Sequence, residues 1–299
     1  MSRILVIGAN GALGEKTLRA IGPERGVAVT RMDQYHDAAF DHVRLRDGRL
    51  PDGSLNGAVA IVNAAGRVRA DEAALREANV DLPTVLARQA RYAGLAKFVQ
   101  VSSFSVYGHA EKVDETTPLA PVTNYGRSKA AGDAALMKLA TPQFAVECVR
   151  LPFLFDALHP ALIGTLLNGV QKLPLWPVSP DTIERSMISY DDSGYLLAEA
   201  ATTERSGISH AADTQLFDFA LLWRIIAEET DRAIRLIRVP RAGIAVIDRI
   251  APAISRRLFR SNVLAAHANL ATGRELPVGI EATIRQIVQN RVNCDRRTD

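Results

Sequence analysis

The first twenty-two residues constrain this chain more than any other stretch. An apolar run of strand character, "RILVIG" (3–8), passes directly through "ANG" into "ALGEKTLRAIG" (12–22), which has helical period. Glycines stand at Gly8, Gly11 and Gly14. A strand that turns on glycine into a helix places the helix N-terminus, with its unpaired N–H groups and positive dipole end, at the strand's carboxyl end. One glycine allows the sharp turn, one lets backbone N–H groups approach a pyrophosphate, and one permits close packing of helix on strand. The pattern predicts a parallel α/β sheet with a dinucleotide at its edge.

The rest of the first half repeats that alternation. Strands are expected at 26–31 ("GVAVTR"), 58–66 ("AVAIVNAAG"), 97–103 ("KFVQVSS") and 144–155 ("FAVECVRLPFLF"), and helices at 71–94 and 125–140. This is the order of a Rossmann-type doubly wound sheet. The second half alternates less regularly: helical period at 163–173, 192–202 and 219–230, a proline-rich loop or extended edge at 174–180, and a strand at 234–239. The division expected is a dinucleotide-binding unit over 1–156 with a returning segment at 186–212, a smaller interleaved C-terminal substrate lobe from 157–185 and 213–290, and a frayed tail at 291–299.

Composition excludes several classes. The 299 residues are 47% hydrophobic, enough for a large core. Two cysteines, Cys148 and Cys294, are too few for a disulfide framework or a thiolate metal site, so no metal is expected and a reducing cytoplasm fits. No apolar stretch reaches membrane-spanning length, and no signal-peptide core precedes the first strand. A net charge of +3 without an RNA- or DNA-binding signature argues against nucleic acid as a partner. One segment breaks the even charge pattern: 232–260 carries eight arginines among apolar residues. It reads as a solvated helical face, a membrane-surface element or a subunit contact.

The end of the second strand bears on the dinucleotide. Arg31 would neutralise a 2′-phosphate, whereas Asp33, two residues on, would accept ribose hydroxyls. NADP is slightly favoured over NAD, with Arg31 as a plain surface residue the competing reading. Further on, Tyr125 and Lys129 in "YGRSK" lie one helical turn apart. A phenol with an ordinary pKa near 10 becomes a usable acid or base only beside a cation such as that lysine. The strand 97–103 ends at Ser102 and Ser103, at the carboxyl edge where open α/β sheets bind ligands. A serine there can hydrogen-bond a substrate oxygen while Tyr125 exchanges its proton.

In this order, "GANGALG", "VNAAG", "VSSFSVYG" and "YGRSK" resemble the extended short-chain dehydrogenase/reductase superfamily, in its nucleotide-sugar epimerase, dehydratase and reductase branch. The resemblance implies that Tyr125 is the acid/base, Ser103 its partner, and Lys129 the residue that lowers the tyrosine's pKa and binds nicotinamide ribose. It assigns Gly8, Asn10, Gly11, Ala12, Leu13, Gly14, Asn63, Ala64, Ala65, Gly66, Asn79, Ser102 and Pro152 to the cofactor, together with Arg31, Tyr125 and Lys129. Substrate contacts fall to Ser103, Phe104, Ser105, Tyr125 and Arg185, the arginine on the nucleotide diphosphate. Homodimers are frequent among such proteins, through helices corresponding to 71–94 and 125–140. Two departures stand out. Phe104 and Ser105 replace the acidic pair of the dehydratases, which argues against water elimination, and Asp156 stands where glycine is usual. The activity implied is hydride exchange at a sugar carbon, C4, of a nucleotide sugar, as 4-epimerase or 4-ketoreductase. The alternatives are reduction of a small ketone or aldehyde and a non-catalytic NADP-binding sensor.

Overall fold

The computed structural model describes residues 2–172, 175–230 and 235–295. Leu173 and Pro174 of the anticipated helix end and loop, Ile234 of the anticipated strand, Arg232 of the arginine-rich segment and residues 296–299 of the expected tail lie outside the described residues.

Seven parallel strands form the central sheet. In the first half these are β1 (Arg3–Ile7), β2 (Gly26–Thr30), β3 (Asp41–Arg44), β4 (Ala58–Asn63) and β5 (Lys97–Ser103). Strands Ala145–Leu151 and Gly207–His210 complete it, in the order (207–210)–(145–151)–β5–β4–β1–β2–β3. The order reverses beside β1, so a crevice opens at the carboxyl ends of β1 and β4. Central strands are buried on both faces, which explains their unbroken apolar runs: Leu5, Val6, Ile7, Val29, Ile61 and Val62 are all inaccessible or nearly so. Two edge strands, Asp41–Arg44 and Gly207–His210, are missing from the sequence reading because they are short and mix polar with apolar residues.

Helix α1 (Ala12–Ile21) packs on one face of the sheet, and α2 (Glu72–Arg76), α3 (Leu82–Tyr92) and α4 (Asn124–Met137) cover the region beside β4 and β5. The helix expected over 71–94 is interrupted by a π-helical turn at Glu77–Asp81. Pro83 has no N–H to give the carbonyl of Asn79, and α4 approaches that carbonyl so closely that a Cβ on Gly132 would lie 2.2 Å from it. The strand expected over 144–155 is likewise broken at Pro152, which cannot donate to a ladder. Beyond the proline, Phe153–Phe155 leaves the central sheet and pairs in parallel with Met187–Ser189.

A second core lies over this departure. Phe155, Ile163, Met187, Phe217, Leu222 and Ile284 pack together, joining helices α5 (Ala161–Lys172), α7 (Phe219–Thr230) and α10 (Ile280–Asp295). Helix α6 (Tyr190–Ala200) returns to the sheet and lies on α1, where a Cβ on Gly194 would come within 2.6 Å of the Lys16 backbone. The segment 175–178 is extended and pairs with 235–238. The C-terminal helix runs to Asp295, into the segment expected to fray: Ile284, Val288 and Val292 continue the apolar stripe one turn at a time.

Candidate active site

The glycine turn has the geometry its sequence requires. Gly8 adopts φ +79°, and a Cβ there would meet the Ala65 backbone at 2.9 Å. A Cβ on Gly14 would fall 2.1 Å from the Gly8 carbonyl oxygen, so only glycine lets α1 rest on the end of β1. The first turn of α1 has no side-chain cap, which leaves its N–H groups to an outside acceptor. These features fit a dinucleotide pyrophosphate over Gly11, Ala12 and Leu13. Asn10 is exposed beside the turn, its amide 3.7 Å from the Met32 sulfur. At the rim, Arg31 is exposed and 3.9 Å from Glu77, while the Asp33 carboxylate is paired with Arg44.

On the other side of the crevice, Gly66, Asn79 and Lys129 meet. A Cβ on Gly66 would lie 2.8 Å from Asn79 Oδ1 and 3.3 Å from Lys129 Nζ. The Asn79 amide donates to the Arg67 carbonyl and to Ser128 Oγ, both at 2.9 Å, and its oxygen accepts from Arg67 N–H at 3.1 Å. Asn63 is buried and donates to Gln100 Oε1 at 2.8 Å while its oxygen accepts from Ala65 N–H at 3.3 Å, so its side chain shapes the strand end. Ala64 and Ala65 are half-buried along the same edge.

Tyr125 lies in the first turn of α4, whose N-terminus is capped by Thr123 accepting from Gly126 N–H at 3.0 Å. A Cβ on Gly126 would be 2.4 Å from the Ser105 carbonyl oxygen, so glycine in "YGRSK" lets this helix end sit against the turn after β5. That contact brings Tyr125 beside Ser103, whose hydroxyl acts on the phenol. Burial raises the Tyr125 pKa, and the neighbouring Ser103 hydroxyl opposes the rise, so the phenol is protonated at neutral pH. Ser103 also accepts from Ser105 N–H at 3.2 Å and Ser105 Oγ at 3.0 Å. Lys129, 4% exposed, donates to the Val101 carbonyl at 2.9 Å, and its Nζ is 6.0 Å from the Tyr125 ring centroid. Burial drops its pKa to about 8.

Successive strand residues face opposite ways, and Ser102 accordingly turns from the crevice to donate to Asp133 Oδ2 at 2.9 Å. Asp133 belongs to a buried charged chain that sequence reasoning missed. Arg150 Nε donates to Asp133 at 3.0 Å and its NH1 to Tyr107 Oη at 2.7 Å, and Tyr107 meets His210 Nε2 at 2.5 Å. Two signals were available: Asp133 lies one turn after Lys129, and Arg150 interrupts the apolar run "VECVRL".

A cleft of about 620 Å³ opens beside Ser103, Phe104, Ser105 and Pro152 and reaches Arg185, Arg256 and Arg260. Arg185 donates to the carbonyls of Arg256 at 2.7 Å and Arg260 at 2.8 Å, yet its Nε is buried without a partner. Burial lowers its pKa to about 10, so it stays cationic at neutral pH. Phe104, 7% exposed, shapes the cleft floor. Asp156, in place of the usual glycine, accepts from the N–H groups of Leu158 at 2.9 Å and His159 at 2.6 Å, which tightens the loop after Phe155.

Comparison with known proteins agrees with this geometry. Three solved structures overlay almost the whole chain. MoeE5 in complex with UDP-glucose and NAD is 18% identical with a TM-score of 0.71, covering 98% of this chain and 100% of its own. The UDP-Glc/GlcNAc 4-epimerase of Campylobacter jejuni is 19% identical with a TM-score of 0.70, covering 97% and 98%. The dTDP-4-dehydrorhamnose reductase of Bacillus anthracis, in complex with NADP, is 18% identical with a TM-score of 0.66, covering 96% and 98%. At these identities the likeness is one of fold. No curated protein matches the sequence. The family model "NAD dependent epimerase/dehydratase family" matches residues 4–155, just over half of the chain. With the glycine turn, the strand-end serine and the tyrosine–lysine helix all inside that span, the chain belongs to the NAD-dependent epimerase/dehydratase family.

Proposed function

We propose that the protein transfers hydride at C4 of a nucleotide-linked hexose, with Tyr125 as acid/base, Ser103 holding the sugar oxygen and Lys129 supplying the adjacent positive charge. One observation carries this reading: Ser103, beside Tyr125, lines a cleft whose lining also includes the cationic Arg185. A guanidinium that lines a cleft and is held in place by two bonds to carbonyls suits a diphosphate oxygen. When bound over the glycine turn, the nicotinamide cofactor supplies the hydride chemistry. Tyr125, protonated at rest, gives its proton to a carbonyl oxygen or accepts one from a hydroxyl, and Ser103 orients that oxygen. Lys129 favours the phenolate formed in the second direction. Residues 157–185 and 213–290 act as the substrate lobe in this reading, and two copies pair through α2–α3 and α4.

Epimerisation uses oxidation and reduction of one carbon, and ketoreduction consumes reduced cofactor. The pairing of Asp33 with Arg44 favours the second, NADPH-dependent version, because it removes the free carboxylate that would repel a 2′-phosphate near Arg31. The test combines two measurements. Turnover on a panel of UDP- and dTDP-hexoses and their 4-keto forms is expected for the wild type and to fall about 10²–10⁴-fold in Tyr125→Phe. Equal, negligible activity in both would favour the sensor reading. Mass spectrometry of nicotinamide released on denaturation separates an epimerase that retains NAD from a reductase that binds NADPH afresh.

A further inference from the structure

The arginine-rich segment has a surface that the proposed catalysis does not use. Helix α8 (Arg241–Ile250) has no buried residue, and its exposed stripe is Ala242, Ala245, Val246, Arg249 and Ile250, spaced as one helical face. Val246 is 56% exposed and Ile250 77%, and Ile254 on α9 (Pro252–Phe259) adds 54%. A soluble helix normally turns its large apolar residues inward, whereas this one leaves Val246 and Ile250 exposed and Ile244 and Ile247 only half-buried. The preceding strand, Arg235–Arg238, is exposed along its whole length, with Leu236 and Ile237 open to solvent.

Within 235–260 the one carboxylate, Asp248, is paired, and the arginines outnumber it. Asp181 is paired with Arg241 at 2.6 Å, and Asp248 with Arg260 at 2.7 Å. Arg235, Arg238 and Arg249 are exposed and make no ion pair among the described residues. Apolar side chains flanked by unpaired arginines suit the boundary of an anionic bilayer, where the isoleucines enter the acyl edge and the guanidinium groups meet phosphate headgroups. A second copy fits less well, since a two-fold contact would set these arginines against themselves. A nucleic acid would satisfy the arginines and leave the isoleucines in water, and the one aromatic residue of 235–260, Phe259, is buried.

We infer that α8 and α9 form a peripheral docking surface for a membrane rich in anionic lipid. The same two helices contribute Asp248 and Arg256 to the cleft, so docking sets the cleft wall at the bilayer. The experiment is co-sedimentation of the full chain with vesicles of phosphatidylcholine alone or mixed with phosphatidylglycerol, at low and physiological salt. Association with the mixed vesicles only, weakened by salt, is expected. Arg238→Gln and Arg249→Gln should each weaken it about fivefold, the equivalent of ~1 kcal/mol per basic residue at such a surface. Val246→Ser with Ile250→Ser should abolish it, with the far-ultraviolet circular dichroism spectrum unchanged because both positions are exposed. Absence of wild-type association at low salt overturns the inference, as does association that survives the serine double variant. A dimer that Ile250→Ser splits, without vesicle association in the wild type, would assign the face to a second copy and overturn it equally.

Discussion

Replacing Lys129 by methionine should make the nucleotide-free protein more stable at neutral pH. Lys129 is 4% exposed, and its pKa falls from 10.5 to about 8. That difference corresponds to ~3 kcal/mol charged against folding wherever the lysine is protonated in both states. The native pKa lies below the unfolded one, so between these values the unfolded chain holds more protons and stability rises with pH. The cost is present in full below about pH 8 and disappears as pH climbs towards 10.5. Methionine matches the stem in length and removes the charge, but it forfeits the 2.9 Å bond to the Val101 carbonyl. That bond is worth ~1 kcal/mol, leaving a net gain of ~2 kcal/mol at pH 7. Near pH 9.5 the remaining penalty is only ~1.4 kcal/mol, so the two proteins should differ by roughly nothing. Urea denaturation with linear extrapolation at both pH values measures the two gaps. A variant no more stable than wild type at pH 7, or a gap of the same size at both pH values, would refute the reasoning.

Three further outcomes follow from the same geometry. Gly14→Ala forces a methyl group to 2.1 Å from the Gly8 carbonyl; α1 must lift from β1, costing ~1–3 kcal/mol, and calorimetric titration should show NAD and NADP binding weakened more than tenfold, by ~1.4 kcal/mol or more. Asp133→Asn strips Arg150 of its carboxylate in a buried site and should cost ~3–5 kcal/mol in denaturant titration. His210, with burial lowering its pKa from 6.5 to about 4, is neutral in the fold at pH 7. The unfolded chain therefore binds its proton first on acidification, and ~2–3 kcal/mol should be lost as pH falls from 6.5 through 4. His210→Gln should flatten that acid limb in thermal melts.

The parts of the fold that follow from local rules were legible in the sequence. β5, predicted as 97–103, and α7, predicted as 219–230, have those bounds, because an unbroken apolar run and a strong helical stripe each leave one solution. The breaks were harder. Pro83 and Pro152 were visible, but whether a proline only starts a helix or also forces a π turn depends on what packs against the freed carbonyl, here Gly132. The tyrosine, lysine, strand-end serine and glycine turn could be read from spacing. Asp133 and Arg150 each left a signal, but their joining with Tyr107 and His210 did not, because it links α4 to two strands distant in sequence and depends on pairing order.

These two kinds of residue meet in α4. A tyrosine and a lysine four apart occur by chance on many surface helices, and nothing in that spacing holds the phenol in place. Here Gly126 admits the Ser105 carbonyl, and Gly132 admits that of Asn79, so backbone contacts fix both the start and the middle of the helix. Neither contact survives a side chain. Beneath them Asp133 binds Ser102 and Arg150, which ties the helix to β5 and its neighbour in a part of the core where slippage would strand a buried charge. The helix therefore has one stable seat, in which Tyr125 reaches Ser103 and Lys129 reaches the Val101 carbonyl. The residues between and after the tyrosine and lysine thus decide whether the pair is chemistry or surface, and in "YGRSKAAGD" the two glycines and the aspartate carry that decision.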